Sequence, residues 1–398
     1  MSHDVTQSPP RRRVWRGRLI ALLFSLAFTW LLIEVALRLA FEYLPPKVQG
    51  DIQGVRRVPW SETPIVPPMP FTIDRDFQVR LPVGLVDYPV RWSDARFNFN
   101  TISAWEGHRA GLRSDPPEWA LDILTFGDSF TFCWTAWEQC WVETLDIEGG
   151  WNVFNAAIPG TGTTAQLNLM KELAPPWKPA LVVWAWYNND LSDNYDLARI
   201  RDEVGELPGA PADDPVAPPS GLGQFSALAQ LINANVSPPP RLTPFKHYET
   251  VLVNGRRLLV HTNEYPYATV IDAYPRTQYG WERGIAAQAE GQDLVKAWGG
   301  RLLIVVIPTK EEAYAEFLTE AVGQAYLDQM AISRERLLAE CEVRGWLCLD
   351  TLPAFREAIR RGQTIYYGFD SHLDSSGNRL LAEMVEAYIA ENQFIPKR

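Results

Sequence analysis

Hydrophobic positions fall into two regimes along the chain. Near the N-terminus, residues 19–33 run without a charged side chain, and apolar character resumes over 35–41 around Glu34 and Arg38. Beyond about residue 120 the apolar stretches are short. Five of them, residues 121–126, 152–155, 180–186, 301–307 and 346–350, have the length and continuity of strands buried on both faces. Helical patterns follow most of these at 164–173, 311–341 and 376–390, and 280–299 reads as a helix leading into the fourth strand. Strands alternating with helices predict an α/β fold, a three-layer sandwich whose central parallel sheet has about five strands.

The interval between the third and fourth strands is too long for a connection. It includes proline-rich stretches at 207–219 and 237–244, and it reads as an insertion over about 191–276, a lid or substrate-shaping excursion. Inside it, Asn254-Gly255 between two β-prone runs predicts a hairpin over 250–260. Residues 45–92 are also rich in proline. The expected organisation is a tip at 1–18, a membrane helix at 19–41, a proline-rich spacer or cover at 42–97 and a catalytic-type domain at 98–393.

Charge sharpens the reading of the front. Of 398 residues, 37 are basic and 48 acidic, a net charge of -11, yet the first 18 residues hold five arginines against one acid. The acidic remainder disfavours a nucleic-acid partner. Arginines before an apolar run long enough for a bilayer of about 30 Å place that end in the cytoplasm and the bulk outside, in the cell envelope. No small-x-small cleavage site follows the run, so an uncleaved single-pass anchor is expected rather than a signal peptide. Glu34 and Arg38, four apart near its outer end, read as a pair that snorkels to the interface. The four cysteines form two pairs of equal spacing, Cys133 with Cys140 and Cys341 with Cys348, and local disulfides suit an exported domain. No C-x-x-C or H-E-x-x-H spacing occurs, and neither a metal nor a cofactor is expected.

Loops at the carboxyl ends of parallel strands converge on one sheet edge, where ligands bind. There the chain places Gly127-Asp128-Ser129-Phe130 after the first strand, Asn155 to Gly162 after the second, and Tyr187-Asn188-Asn189-Asp190 after the third; Asp370-Ser371-His372 precedes the last helix. These are the parts of a serine acyl-transfer site. Ser129 is the nucleophile, His372 its base and Asp370 the acid that orients the imidazole. The backbone N–H groups of Ser129 and Gly160 and the amide of Asn189 supply an oxyanion hole. Thr309 to Glu312 has the form of a capping box, and Trp134, Trp137 and Trp141, at helical spacing, read as packing residues or a sugar-binding wall.

These residues carry a resemblance to the SGNH (GDSL-type) hydrolases, whose blocks centre on Ser, Gly, Asn and His in this order. It spans roughly residues 98–393. Gly127, Asp128 and Ser129 match the first block, Gly160 the second, and Asn189 with Asp190 the third, although Tyr187 stands where the family has glycine. In the last block the family's Asp-x-x-His becomes Asp-x-His, because Phe369 holds the usual aspartate position. That shortened spacing is similar to proteins of alginate O-acetylation, whose serine follows the histidine instead of preceding it. Pro308 to Glu311 is similar to membrane-anchored bacterial members. The resemblance implies an SGNH/flavodoxin-like fold and a serine esterase or acyltransferase. With the location, it points to acyl esters, in the first place O-acetyl, of an envelope glycan. Two alternatives stand beside this: a lipase or lysophospholipase acting on lipid, and a noncatalytic glycan-binding scaffold among envelope-complex proteins.

Overall fold

The computed structural model describes residues 11–40, 44, 48, 69–92, 94–116, 120–208, 226–236, 248–261 and 274–395. Most of the expected tip, of 41–68 and of both proline-rich stretches therefore lies outside the described residues.

The chain forms two compact units. The first comprises residues 1–59 and 218–240. Its long helix Arg11–Leu39 contains a segment, Gly17–Leu39, long and apolar enough to cross a membrane. A second helix, Ala227–Val236, packs on it.

The second unit holds the sheet. Two small antiparallel pairs come first: β1 (Thr72–Asp74) with β2 (Gln78–Arg80), then β3 (Tyr88–Trp92) with β4 (Ala95–Phe99). The five apolar runs then appear as β5 (Ile123–Phe126), β6 (Val153–Asn155), β7 (Leu181–Trp186), β10 (Arg301–Val306) and β11 (Leu347–Asp350). They make one all-parallel sheet in the order β11-β10-β7-β5-β6. The expected hairpin is β8 (Tyr248–Val253) and β9 (Arg256–His261), turning at Asn254-Gly255.

Alternate strand residues feed two cores. Ile123, Leu181, Val183, Leu303 and Val305 face the helices Trp141–Ile147, Leu352–Arg360 and Ser375–Glu391. Leu124, Phe126, Val182, Trp184 and Ile304 face Thr163–Trp177 and Pro275–Lys296. Burying each such side chain contributes about 1.5–3 kcal/mol, which explains why these strands read as unbroken apolar runs. The three-layer α/β sandwich is thus the observed architecture.

Two expectations change in detail. The helical pattern at 311–341 is three helices, Lys310–Ala313, Ala315–Val322 and Gln324–Arg344, divided at Tyr314 and at Gly323, whose φ is +84°. The described part of the segment expected as a spacer or cover packs on the domain. Leu81, Val90, Phe97 and Phe99 form a third core with Phe132 and Trp134, and β4 runs across the expected boundary at 97/98.

Candidate active site

The strand order reverses beside β5, since the chain pairs β6 on one side of it and β7 on the other. Such a switch point opens a crevice at the carboxyl ends of the strands. Ser129 enters there from β5, Asn189 from β7. Gly127 makes the turn possible: at φ +154°, a Cβ on it would lie 2.2 Å from Thr131 Oγ1. Asp128 then caps the short helix Ser129–Phe132 by accepting the Phe130 N–H at 2.9 Å.

Ser129 Oγ lies 2.7 Å from His372 Nε2, and His372 Nδ1 lies 2.6 Å from Asp370 Oδ1. A carboxylate can only accept, so Nδ1 carries the ring proton and Nε2 is free to receive that of the serine. Asp370 Oδ1 also accepts the backbone N–H of His372 at 2.7 Å. Burial alone would raise the Asp370 carboxyl. Electrostatic attraction to the His372 ring, those two hydrogen bonds and Lys310 outweigh it and hold the group below the usual carboxylate range.

Asn189 joins the set through its amide, which donates to Asp128 Oδ2 at 2.9 Å. Gly160 sits at φ +72° in the loop after β6, where Ile158 N–H donates to Gly127 O at 3.3 Å. The structure thus gathers Ser129, His372 and Asp370 into one hydrogen-bonded chain, with Asn189 linked to the residue preceding the serine and Gly160 in the adjoining loop.

Several contacts around this chain, those of Trp134, Phe130 and Arg113, escaped sequence reasoning. Trp134 stacks on the imidazole of His372, 4.9 Å between centroids at 21°, and Phe130 packs against the same ring at 5.0 Å. Both local disulfides form, and Cys133–Cys140 encloses Trp134. Buried Arg113 donates to the carbonyls of Phe132, Cys133 and Thr135, pinning the loop that carries the tryptophan; burial lowers its guanidinium to about 9.

A second brace holds the loop of the acid. Asp94, at the turn between β3 and β4, accepts the Phe369 and Asp370 N–H groups at 3.1 Å each. Lys310 Nζ donates to Leu259 O at 3.1 Å and to Gly368 O at 3.4 Å. The capping box of Thr309 and Glu312 is present as expected, yet it does not account for the whole motif. Lys310 supports the Asp370 loop, while Glu311 accepts from the backbone N–H of His261 at 2.8 Å and meets its ring at 3.0 Å. No group of ligands suited to a metal ion occurs among the described residues.

Residues 267–398 match a family model described as the SGNH hydrolase-like domain of the acetyltransferase AlgX. The match includes Lys310, Asp370 and His372 and leaves Ser129 outside. No curated protein matches the chain. Among solved structures, the chain is similar to a G-D-S-L lipolytic protein from Veillonella parvula, at 13% identity over 68% of this chain and 99% of that one, TM-score 0.37. It is also similar to a variant of an acetyl-xylooligosaccharide esterase from Geobacillus Stearmophilus, at 13% identity over 69% and 96%, TM-score 0.35. A GDSL-like lipase from Bacteroides thetaiotaomicron aligns at 12% identity over 68% and 88%, TM-score 0.35. Over residues 267–398, a third of its length, the chain is thus similar to an SGNH hydrolase-like domain.

Proposed function

We propose that the protein is a membrane-anchored, extracytoplasmic serine esterase or acyltransferase that removes or moves O-acetyl groups on an envelope glycan. The observation that carries the chemistry is the 2.7 Å and 2.6 Å relay from Ser129 through His372 to Asp370. Ser129 Oγ attacks the ester carbonyl as its proton passes to His372 Nε2, and Asp370 stabilises the imidazolium. The developing oxyanion is met by the Ser129 and Gly160 N–H groups and by the second amide hydrogen of Asn189, each such donor being worth about 2.7–4 kcal/mol. Collapse expels the alcohol, protonated by His372, and leaves an acyl-Ser129. Water then completes hydrolysis, or a second hydroxyl completes transfer.

The acetyl assignment is supported by the AlgX acetyltransferase model, and the glycan assignment by the extracytoplasmic placement read from the arginines and the apolar helix. The test is hydrolysis of a short-chain aryl acetate by the full chain in detergent, with mass spectrometry of Ser129 after exposure to acetylated envelope polymer. Ser129→Ala is expected to fall to the uncatalysed rate and to lose the acetyl adduct. Equal rates for wild type and variant overturn the reading.

A further inference from the structure

The helix Gly17–Leu39 carries an acid, Glu34, that is buried. Its carboxylate is fully engaged, but only partly by Arg38, whose Nε and Nη2 lie 2.8 and 2.6 Å away. It also accepts the Ser226 hydroxyl at 2.9 Å and the backbone N–H groups of Ala227 and Leu228 at 2.9 and 3.0 Å. Those two N–H groups belong to the first turn of the helix Ala227–Val236, where no carbonyl of the helix itself is available to them. Ser226 Oγ in turn accepts from Trp30 Nε1 at 3.2 Å and from Ala229 N at 3.1 Å. Each side of the contact supplies what the other lacks, as backbone and charge must be satisfied inside a bilayer.

Depth and composition point the same way. Glu34 lies five residues before Leu39, the end of the apolar span, hence about 7.5 Å inside it. Interfacial helices bury their apolar face by about 5–10 Å. The helix Ala227–Val236 reads ALAQLINANV, without a charged residue, and presents Ile232 exposed.

We propose that Ala227–Val236 is a second membrane element, lying in the outer leaflet against the N-terminal helix, with Glu34 closing its first turn. The insertion between β7 and β10 thereby returns to the lipid, and the chain has two attachments to the membrane. This rests on reading Gly17–Leu39 as a membrane span.

The test uses the full chain in liposomes. All four cysteines are in disulfides, so a single introduced cysteine is the only thiol. An environment-sensitive fluorophore is placed in turn at Ile232→Cys, at Phe28→Cys within the span, and at exposed Val86→Cys. Quenching is read from nitroxides on the upper acyl chain, from nitroxides near the bilayer centre and from aqueous iodide. The position 232 probe is expected to lose fluorescence to upper-chain nitroxides and to be shielded from iodide. The position 28 probe responds to central nitroxides and the position 86 probe to iodide alone. Glu34→Leu is expected to raise iodide quenching at 232 while leaving 28 unchanged. If 232 responds to iodide and not to nitroxides while 28 still reports lipid, the second element is refuted and the anchor stands. If 28 itself responds only to iodide, the anchor reading fails and takes the proposal with it.

Discussion

Asp94 offers the most direct measure of how the acid loop is held. The Asp94→Ala substitution removes a carboxylate that accepts two backbone N–H groups, from Phe369 and Asp370, at 3.1 Å. Hydrogen bonds to a charged group contribute about 1.5–3 kcal/mol each. Because Asp94 is half-buried, water replaces some of what is lost, so the low end applies and the pair is worth about 3 kcal/mol at most. Against this, burial and then the charge of Asp370 hold the Asp94 carboxyl above its usual range, and removing it relieves that repulsion. A net loss of about 2 kcal/mol remains. If it falls on the conformer in which Asp370 faces His372, the population of that conformer drops by a factor of about 30. The expected outcome is a kcat on aryl acetate about 30-fold below wild type with KM little changed, and a parallel fall in the rate at which a fluorophosphonate labels Ser129. Asp94→Asn should fall between, since its carbonyl still accepts from one N–H while its amide opposes the other. A folded Asp94→Ala enzyme with wild-type kcat would refute the brace.

Two further outcomes are expected. Asp370→Asn should lower kcat by about 10³–10⁴ by offering Nδ1–H of His372 no carboxylate; an unchanged rate in the aryl acetate assay would assign the orienting role elsewhere. Asp193, whose carboxyl is raised to about 8 by burial, Asp196 and Asp128, has one oxygen without a partner. Its folded pKa exceeds the ordinary 3.8, so the folded state holds the extra proton between these values and stability falls as pH rises through that window. Asp193→Asn should therefore raise Tm by at least about 2 °C near pH 8, with the gain shrinking toward pH 4 in thermal melts. A gain independent of pH would contradict the linkage.

Local patterns reveal what is held by local forces. The sheet was legible because strands covered on both faces must be continuously apolar, and the β8–β9 hairpin because Asn254-Gly255 suits one turn geometry. Trp134, Trp137 and Trp141 show where spacing misleads. Their period suggests one helix face, but the helix after Ser129 stops at Cys133, whose φ is +63°, and only a short 3₁₀ turn, Trp137–Gln139, intervenes before the next α-helix begins at Trp141. The three rings then part: Trp134 goes to His372, Trp137 lies under Arg113, and Trp141 is buried with its Nε1–H on Phe130 O. Asp94 left no local sign, being 276 positions from Asp370, and the cover strands β1 to β4 are short, with Pro89 in one.

The displaced acid shows how a departure from a motif is absorbed by structure. Phe369 holds the position where Asp-x-x-His enzymes carry their carboxylate, which left open a scaffold with the fold but no working acid. In the structure the acid two residues before the histidine accepts both the backbone N–H and the ring Nδ1 of His372 with one oxygen, closing a tight local turn. That geometry fixes the imbalance of a shorter loop only if the loop itself cannot swing. Its remaining polar groups are accordingly tied from outside: Phe369 and Asp370 N–H to Asp94, Gly368 O to the N–H of Leu259 at 2.7 Å and to Lys310. The compact acid and the distant braces form one arrangement, in which the cover hairpin, β9 and the Thr309 turn all converge on a loop that enters the proposed chemistry only through His372.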